Sequence, residues 1–326
     1  MKKFFVSLVA LAMATMSYAQ STLVATLTHG DNIKMFYGAY ALRDAHNAAT
    51  HGDVINLSAG AFQAVKITKA LTIRGAGADG ESTTYIINGF EIEIPTTTTR
   101  RLSFEGVRLS NTTTVKGTLT NATFLKTIID YIYIGSDSKM TNGSFVNCRA
   151  YEEEFYGSVT AQFVNCEVSH FYSNSNGAAS TTFLNCNIRP YDGRNSNYLY
   201  NVQLINCILF NDEDDWGLYQ IPSTSSAVNC VAVGETDGDV FNNLAARQNC
   251  QQAGFDIFQD GKGWNDLTDE AKAKYIGTDG TPVGYYGGMM PFDLTPSYPR
   301  ITKMNVASKT SADGKLSVEI EVSATE

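Results

Sequence analysis

Ser144–Cys148 reads SFVNC, Gln162–Cys166 reads QFVNC, Thr182–Cys186 reads TFLNC and Gln203–Cys207 reads QLINC. Two shorter echoes, AVNC ending at Cys230 and RQNC ending at Cys250, complete the series, so every cysteine directly follows an asparagine. Successive cysteines are 18, 20, 21, 23 and 20 residues apart. A fixed phrase with filler of variable length is the signature of a solenoid, in which one structural unit recurs and the loops absorb the differences.

Within each phrase the apolar residues alternate. Phe145, Phe163, Phe183 and Leu204 precede the asparagine by two, and Val168, Ile188 and Leu209 follow the cysteine by two. Two short strands therefore flank a one-residue bend and point their apolar side chains the same way. Asparagine suits that bend because it tolerates the left-handed backbone. The same pattern extends upstream without cysteine. FEGVRL places Phe104, Gly106, Val107 and Leu109 in these slots, TFLKTII places Phe124, Lys126 and Thr127, and INGFEI places Ile87, Gly89, Phe90 and Ile92. About ten coils are expected from Val54 to Cys250, stacked about 4.8 Å apart. The asparagines should form an amide ladder from coil to coil. The cysteines should form a file of buried free thiols, since parallel Cβ vectors one strand spacing apart fit a disulfide poorly.

The opening Tyr40–Gly77, YALRDAHNAATHGDVINLSAGAFQAVKITKALTIRGAG, resembles the entry of right-handed parallel β-helix proteins of the pectin-lyase-like superfamily. In those proteins an amphipathic helix plugs the column before the first coil. Here Ala41, Leu42, Ala45, Ala48 and Ala49 share one helical face, and Gly52 ends the helix. The implied fold is an all-β, right-handed single-stranded parallel β-helix with a capping helix. Its expected parts are a leader at 1–19, an N-terminal cap at 20–52, the column at 53–250, a C-terminal cap at 251–298 and a β extension at 299–326.

The leader reading rests on Lys2 and Lys3, the apolar run Phe4–Met16 and the small residues Ser17 and Ala19. It predicts export to the periplasm, cell surface or medium. No later segment is apolar for long enough to suggest an integral membrane protein. The formal net charge is -9, and removing the two leader lysines leaves -11. That sign opposes binding to phosphate backbones, so a nucleic-acid partner is not expected.

The superfamily hosts lyases, hydrolases, esterases and non-catalytic adhesins, so function has to be read from a site. DYIYIG at Asp130–Gly135 resembles the DFIFG phrase of pectin methylesterases, and IRPY at Ile188–Tyr191 resembles their GRPW. The resemblance implies Asp130 as nucleophile and Arg189 as clamp for a substrate carboxylate. The chain departs from the family in lacking the QDTL phrase that supplies the acid/base aspartate, and proton transfer then has no agent.

Acidic runs at Glu152–Glu154 and Asp212–Asp215 follow repeat cysteines at similar offsets. Glu153, Asp212 and Asp214 are thus candidate ligands for Ca2+, the one cofactor the sequence suggests. His170, the single histidine within the repeats, is read as a surface residue. The fillers are rich in aromatics. Tyr156, Tyr172, Tyr191, Tyr198, Trp216 and Tyr219 are candidates for a row of rings against which sugars stack. The C-terminal strands Ile301–Val306 and Leu316–Val322 offer pairing with another surface protein. The expected function is a non-catalytic exported column that binds a polysaccharide or other glycan, or mediates adhesion. The alternative is a carbohydrate-active enzyme, pectin-esterase-like or polysaccharide-lyase-like, on the same scaffold.

Overall fold

A computed structural model of the chain describes residues 23–173, 180–189, 199–210, 221–234, 239–244, 246–260, 266–306, 309–311, 313–315 and 317–323. It is an all-β parallel β-solenoid of about eight turns. The repeats fold into two long sheets. The first carries the strands before the asparagine, such as Ser158–Val164 and Ser180–Leu184, and the second carries those after the cysteine, such as Glu167–Val168 and Asn187–Ile188. Registry is one repeat per rung: Phe145 lies beside Phe163, Phe163 beside Phe183 and Phe183 beside Leu204.

The count falls short of ten for two reasons. INGFEI is not a cysteine-type corner, because Thr84–Ile87 and Phe90–Ile92 both belong to the second sheet, beside Arg108–Val115. The terminal rungs are also not complete windings. The first leans on an antiparallel hairpin, Val24–His29 with Asn32–Tyr37, and the chain leaves the column after Gln251–Ala253.

The corner explains the asparagines. Asn147, Asn165, Asn185, Asn206, Asn229 and Asn249 all have φ between 50° and 56°, and Lys126 and Gly106 occupy the same bend with φ of 49° and 63°. An ordinary L residue pays about 1–2 kcal/mol there, which asparagine and glycine largely avoid. Each bend turns the chain from one sheet to the other and brings the next apolar pair inward.

Inside, Phe104, Phe124, Phe145, Phe163 and Phe183 form one stack with ring centroids 5.7, 4.7, 4.3 and 4.9 Å apart. The cysteines are unpaired, and all but Cys250 are fully buried. Cys148, Cys166, Cys186 and Cys207 each donate from Sγ to a carbonyl of the preceding rung, at 3.2–3.4 Å. Burial pushes the thiols of Cys148, Cys166, Cys186 and Cys230 far up, so they are protonated core residues.

The capping helix is Ala41–Ala48, and Ala41, Leu42 and Ala45 are buried against the first rung. His46 is buried on the same face, whereas Ala48, expected there, is exposed because the helix is ending. Thr68 donates its backbone N–H to His46 Nε2 at 3.2 Å, and Lys69 Nζ donates to the carbonyl of His46 at 2.7 Å. Burial, assisted by the Lys69 charge, lowers the His46 pKa to about 4.

Of residues 251–298, expected as a C-terminal cap on the last coils, those described lie against the side of the column, first on its last rungs. Ile257, Phe258, Leu267, Ala271, Tyr275 and Val283 pack sideways on Ile208, Phe210, Val231 and Val233, on the outside of the second sheet. From Gly277 the chain turns back and runs along the asparagine corner as a strap. Asn206 Oδ1 accepts from the N–H of Thr278 at 2.9 Å, and Asn165 Nδ2 donates to the carbonyls of Tyr285 and Gly287 at 2.8 and 2.7 Å. Farther on, Lys126 Nζ meets Asp293 Oδ2 at 3.1 Å, Glu105 accepts from Ser297, and Tyr298 donates its hydroxyl to the carbonyl of Gly75. Among the described residues, Asn165 and Asn206 of this file bond the strap, and one ladder contact remains, from Asn206 Nδ2 to Asn185 Oδ1 at 3.2 Å. The strands Arg300–Val306 and Val318–Ser323 follow as a separate antiparallel pair.

Two outcomes are expected. Asn165→Ala should lower stability by about 2–4 kcal/mol in chemical denaturation, through lost hydrogen bonds and positive-φ strain, and Asn165→Gly, which relieves only the strain, should cost less. His46 is neutral in the folded cap but protonates in the unfolded chain, so its contribution is present above about pH 6.5 and is lost as pH falls toward 4. His46→Gln should remove that dependence, on the order of 2 kcal/mol, from thermal melts recorded across this range.

Candidate functional site

The outward face of the second sheet gathers the chemistry. In the strand Ile128–Ile134, Ile132 and Ile134 point into the core and leave Tyr131 and Tyr133 outside. On the next rung Glu153 and Phe155 are inside while Glu152, Glu154 and Tyr156 face outward. On the third, Phe171 is inside and Tyr172 outside. Register aligns Ile132 with Glu153 and Phe171, and Tyr133 with Glu154 and Tyr172. The residues one place earlier therefore align as well. The carbonyl of Glu152 accepts from Ile132 N–H, and that of His170 accepts from Glu153 N–H, each at 2.9 Å.

The result is a small grid. One file runs Tyr131, Glu152, His170 and the next runs Tyr133, Glu154, Tyr172, with rungs about 4.8 Å apart and files about 6.7 Å apart. Tyr131 donates its hydroxyl to Glu154 Oε2 at 2.7 Å, which ties the grid diagonally. Its burial and this carboxylate push the phenol pKa up, and burial followed by the same charge does so at Tyr156. The rings step across the rungs: Tyr133 and Tyr156 are 5.7 Å apart between centroids, and Tyr156 and Tyr172 are 4.9 Å apart. Ring tilts of 51° and 38° leave an uneven wall with acids set into it.

Glu152, Glu154 and His170 bring two carboxylates and an imidazole within 4.8 Å of one another. Those are the described residues able to hold a metal ion, and they differ from the expected set. Glu153 takes no part. It is fully buried between Ile132 and Phe171, and neither carboxylate oxygen has a hydrogen-bond partner. Burial, with the Glu152 charge adding to it, raises its pKa far above the usual carboxylate range, so it is a neutral acid. Asp212 and Asp214 lie outside the described residues, as do Tyr191, Tyr198, Trp216 and Tyr219.

Asp130 and Arg189 are not brought together. Ile129, Ala150, Val168 and Ile188 align on successive rungs, so the two residues that follow the first and last are three rungs, roughly 14 Å, apart. Asp130 instead accepts from Arg108 Nε at 3.1 Å and from the N–H of Asn111 at 3.3 Å. Arg189 lies 3.7 Å from Glu167, which also pairs with Arg149 at 2.8 Å, and its guanidinium sits 4.5 Å from the centre of the Phe210 ring. These are ion pairs along the column axis. No nucleophile, acid and clamp converge there.

His170 was missed although its signal was present: Glu152 and His170 each lie four residues after a repeat cysteine, and Tyr131 lies four after Thr127, the residue in the cysteine slot. Counting six instead of four gives Tyr133, Glu154 and Tyr172.

No protein-family model, curated protein or solved structure matches the chain. Its class therefore rests on its own geometry, that of an all-β parallel β-solenoid. No helix among the described residues is long and apolar enough to cross a membrane.

Glu153→Leu should raise stability at neutral pH by about 1–3 kcal/mol, because it removes an unsatisfied buried carboxyl. The raised folded pKa means that the native acid costs nothing extra below the unfolded value of about 4.3 and progressively more above it. The gain from Glu153→Leu, read from denaturant midpoints, should therefore shrink toward about pH 4.

Proposed function

We propose that the chain is an exported, non-catalytic β-helix of the pectin-lyase-like kind that binds a polysaccharide along the outer face of its second sheet. The observation that carries this reading is the stepped wall of Tyr133, Tyr156 and Tyr172 with Glu152, Glu154 and His170 set into it. Aromatic faces take the apolar faces of sugar rings, and carboxylates and imidazole take their hydroxyls. The rung spacing of about 4.8 Å is close to the length of one sugar unit in an extended glycan, so neighbouring rungs can address neighbouring units. A face of this sign favours neutral or cationic glycans over acidic ones.

A divalent cation at Glu152, Glu154 and His170 would be a structural aid to such binding. The mixed nitrogen and oxygen donors suit zinc or manganese better than the calcium suggested by the acidic run alone. Export is supported by the basic and apolar leader, and adhesion through the C-terminal strand pair is compatible with the same location. The esterase-like reading has no geometric support, because its two candidate residues are held apart by partners of their own.

Affinity electrophoresis in gels cast with neutral and acidic polysaccharides tests the proposal. Tyr156→Ala and Tyr172→Ala should each weaken retardation about 2- to 10-fold, the worth of one stacked ring. Retardation by no polysaccharide, or retardation untouched by either substitution, would sink it, as would release of uronic acid or ester cleavage by the purified protein.

A further inference from the structure

The asparagine corner does not end where the strap begins. Asn229 and Asn249 repeat the bend of Asn206, with φ of 50° and 52° against 56°, and present their amides in the same file. The strap enters at Gly277, beside Asn206, and leads away from them. Neither amide makes a hydrogen bond among the described residues. In front of them lies a cleft of about 220 Å³ lined by Asn229, Val231, Asn249, Gln251, Lys274 and Tyr275.

What the occupied rungs bind shows what the open ones are shaped for. Asn206 and Asn165 address a peptide backbone, accepting from the N–H of Thr278 and donating to the carbonyls of Tyr285 and Gly287. An amide side chain offers one donor group and one acceptor, the complement of a peptide unit. The corner also selects against side chains. A Cβ at Gly277 would lie 2.7 Å from Asn206 Cγ, one at Gly284 would lie 2.7 Å from Asn187 Oδ1, and one at Gly288 would lie 3.0 Å from Asn185 Nδ2. Only a glycine-bearing backbone comes that close without displacing the ladder. At the rim, Lys274 is exposed, its ammonium 4.9 Å from the centre of the Tyr275 ring, and supplies a positive charge beside the opening.

We infer that the open corner at Asn229 and Asn249 docks an extended, glycine-containing and acidic segment of another polypeptide, which prolongs the line of the strap. Binding would use backbone hydrogen bonds for affinity and the absence of Cβ atoms for selectivity, as strand-addition modes do. The inference stands apart from glycan binding, whose residues lie on the rungs of Thr127, Cys148 and Cys166, three or more rungs from Asn229.

The test uses the full chain and a fluorescein-labelled peptide of the strap's own residues 277–288, GTDGTPVGYYGG, followed by anisotropy. Saturable binding is expected. The double substitution Asn229→Gly and Asn249→Gly keeps the positive φ and removes both amides, and should weaken binding about tenfold or more. Lys274→Glu, an exposed change outside the packed column, should weaken it as well, and a peptide with alanine at its glycines should not bind. Absence of saturable binding overturns the inference. So does binding indifferent to the Asn229/Asn249 and Lys274 changes, or lost only with Asn165→Gly, which would mean that the peptide displaces the strap. Displacement of the peptide by a polysaccharide, with the polysaccharide then depending on Asn229 and Asn249, would also overturn it.

Discussion

Every rung from Phe104 onward depends on one backbone conformation held at one place. The bend between the two sheets needs a positive φ, and six asparagines, a lysine and a glycine supply it in register from Gly106 to Asn249. Because the bend is a single residue, its position sets which side chains of the flanking strands face inward, since a slip by one would turn each phenylalanine outward. The aromatic stack, the thiol file and the parallel pairing are consequences of that registry. Asparagine adds to this what glycine cannot, an amide that remains free to bond once the backbone has turned.

That amide is what the strap uses. A column of parallel strands satisfies its own backbone along the axis, but its corners leave carbonyls and amides at the side. Residues 277–298 cover them, from Asn206 back to the rung of Gly75, in a direction opposite to the winding. Glycines in the strap are required where it crosses Asn185, Asn187 and Asn206, because the two backbones approach too closely for a Cβ.

The column was legible because its signal repeats. Six copies of one phrase average out local ambiguity, and the alternation around Asn147 or Asn185 assigns inside and outside without further information. The candidate site was legible only in part, for a physical reason. Between Ala150 and Glu153 the chain breaks its strand, so the alternation that holds at the cysteine has changed phase by Glu153, and the similar offset of two acidic runs from their cysteines did not say which glutamate faces outward. Counting residue by residue from the cysteine slot finds Glu152, His170 and Tyr131 together. The strap was not legible at all. Its contacts span 72 to 223 residues of sequence, and a glycine-rich tail carries no periodicity to show where it will lie.

The strap also changes how the molecule bears load. Forces that separate parallel rungs are ordinarily opposed by inter-strand hydrogen bonds and by side-chain packing between rungs, with nothing running along the outside. Here a covalent chain lies alongside those bonds and is anchored at both extremes, so tension is divided between two members with different failure modes. It follows that the residues fastening the column are synthesised after all of its rungs, and a chain cut before Gly277 would be a wound column without that strap.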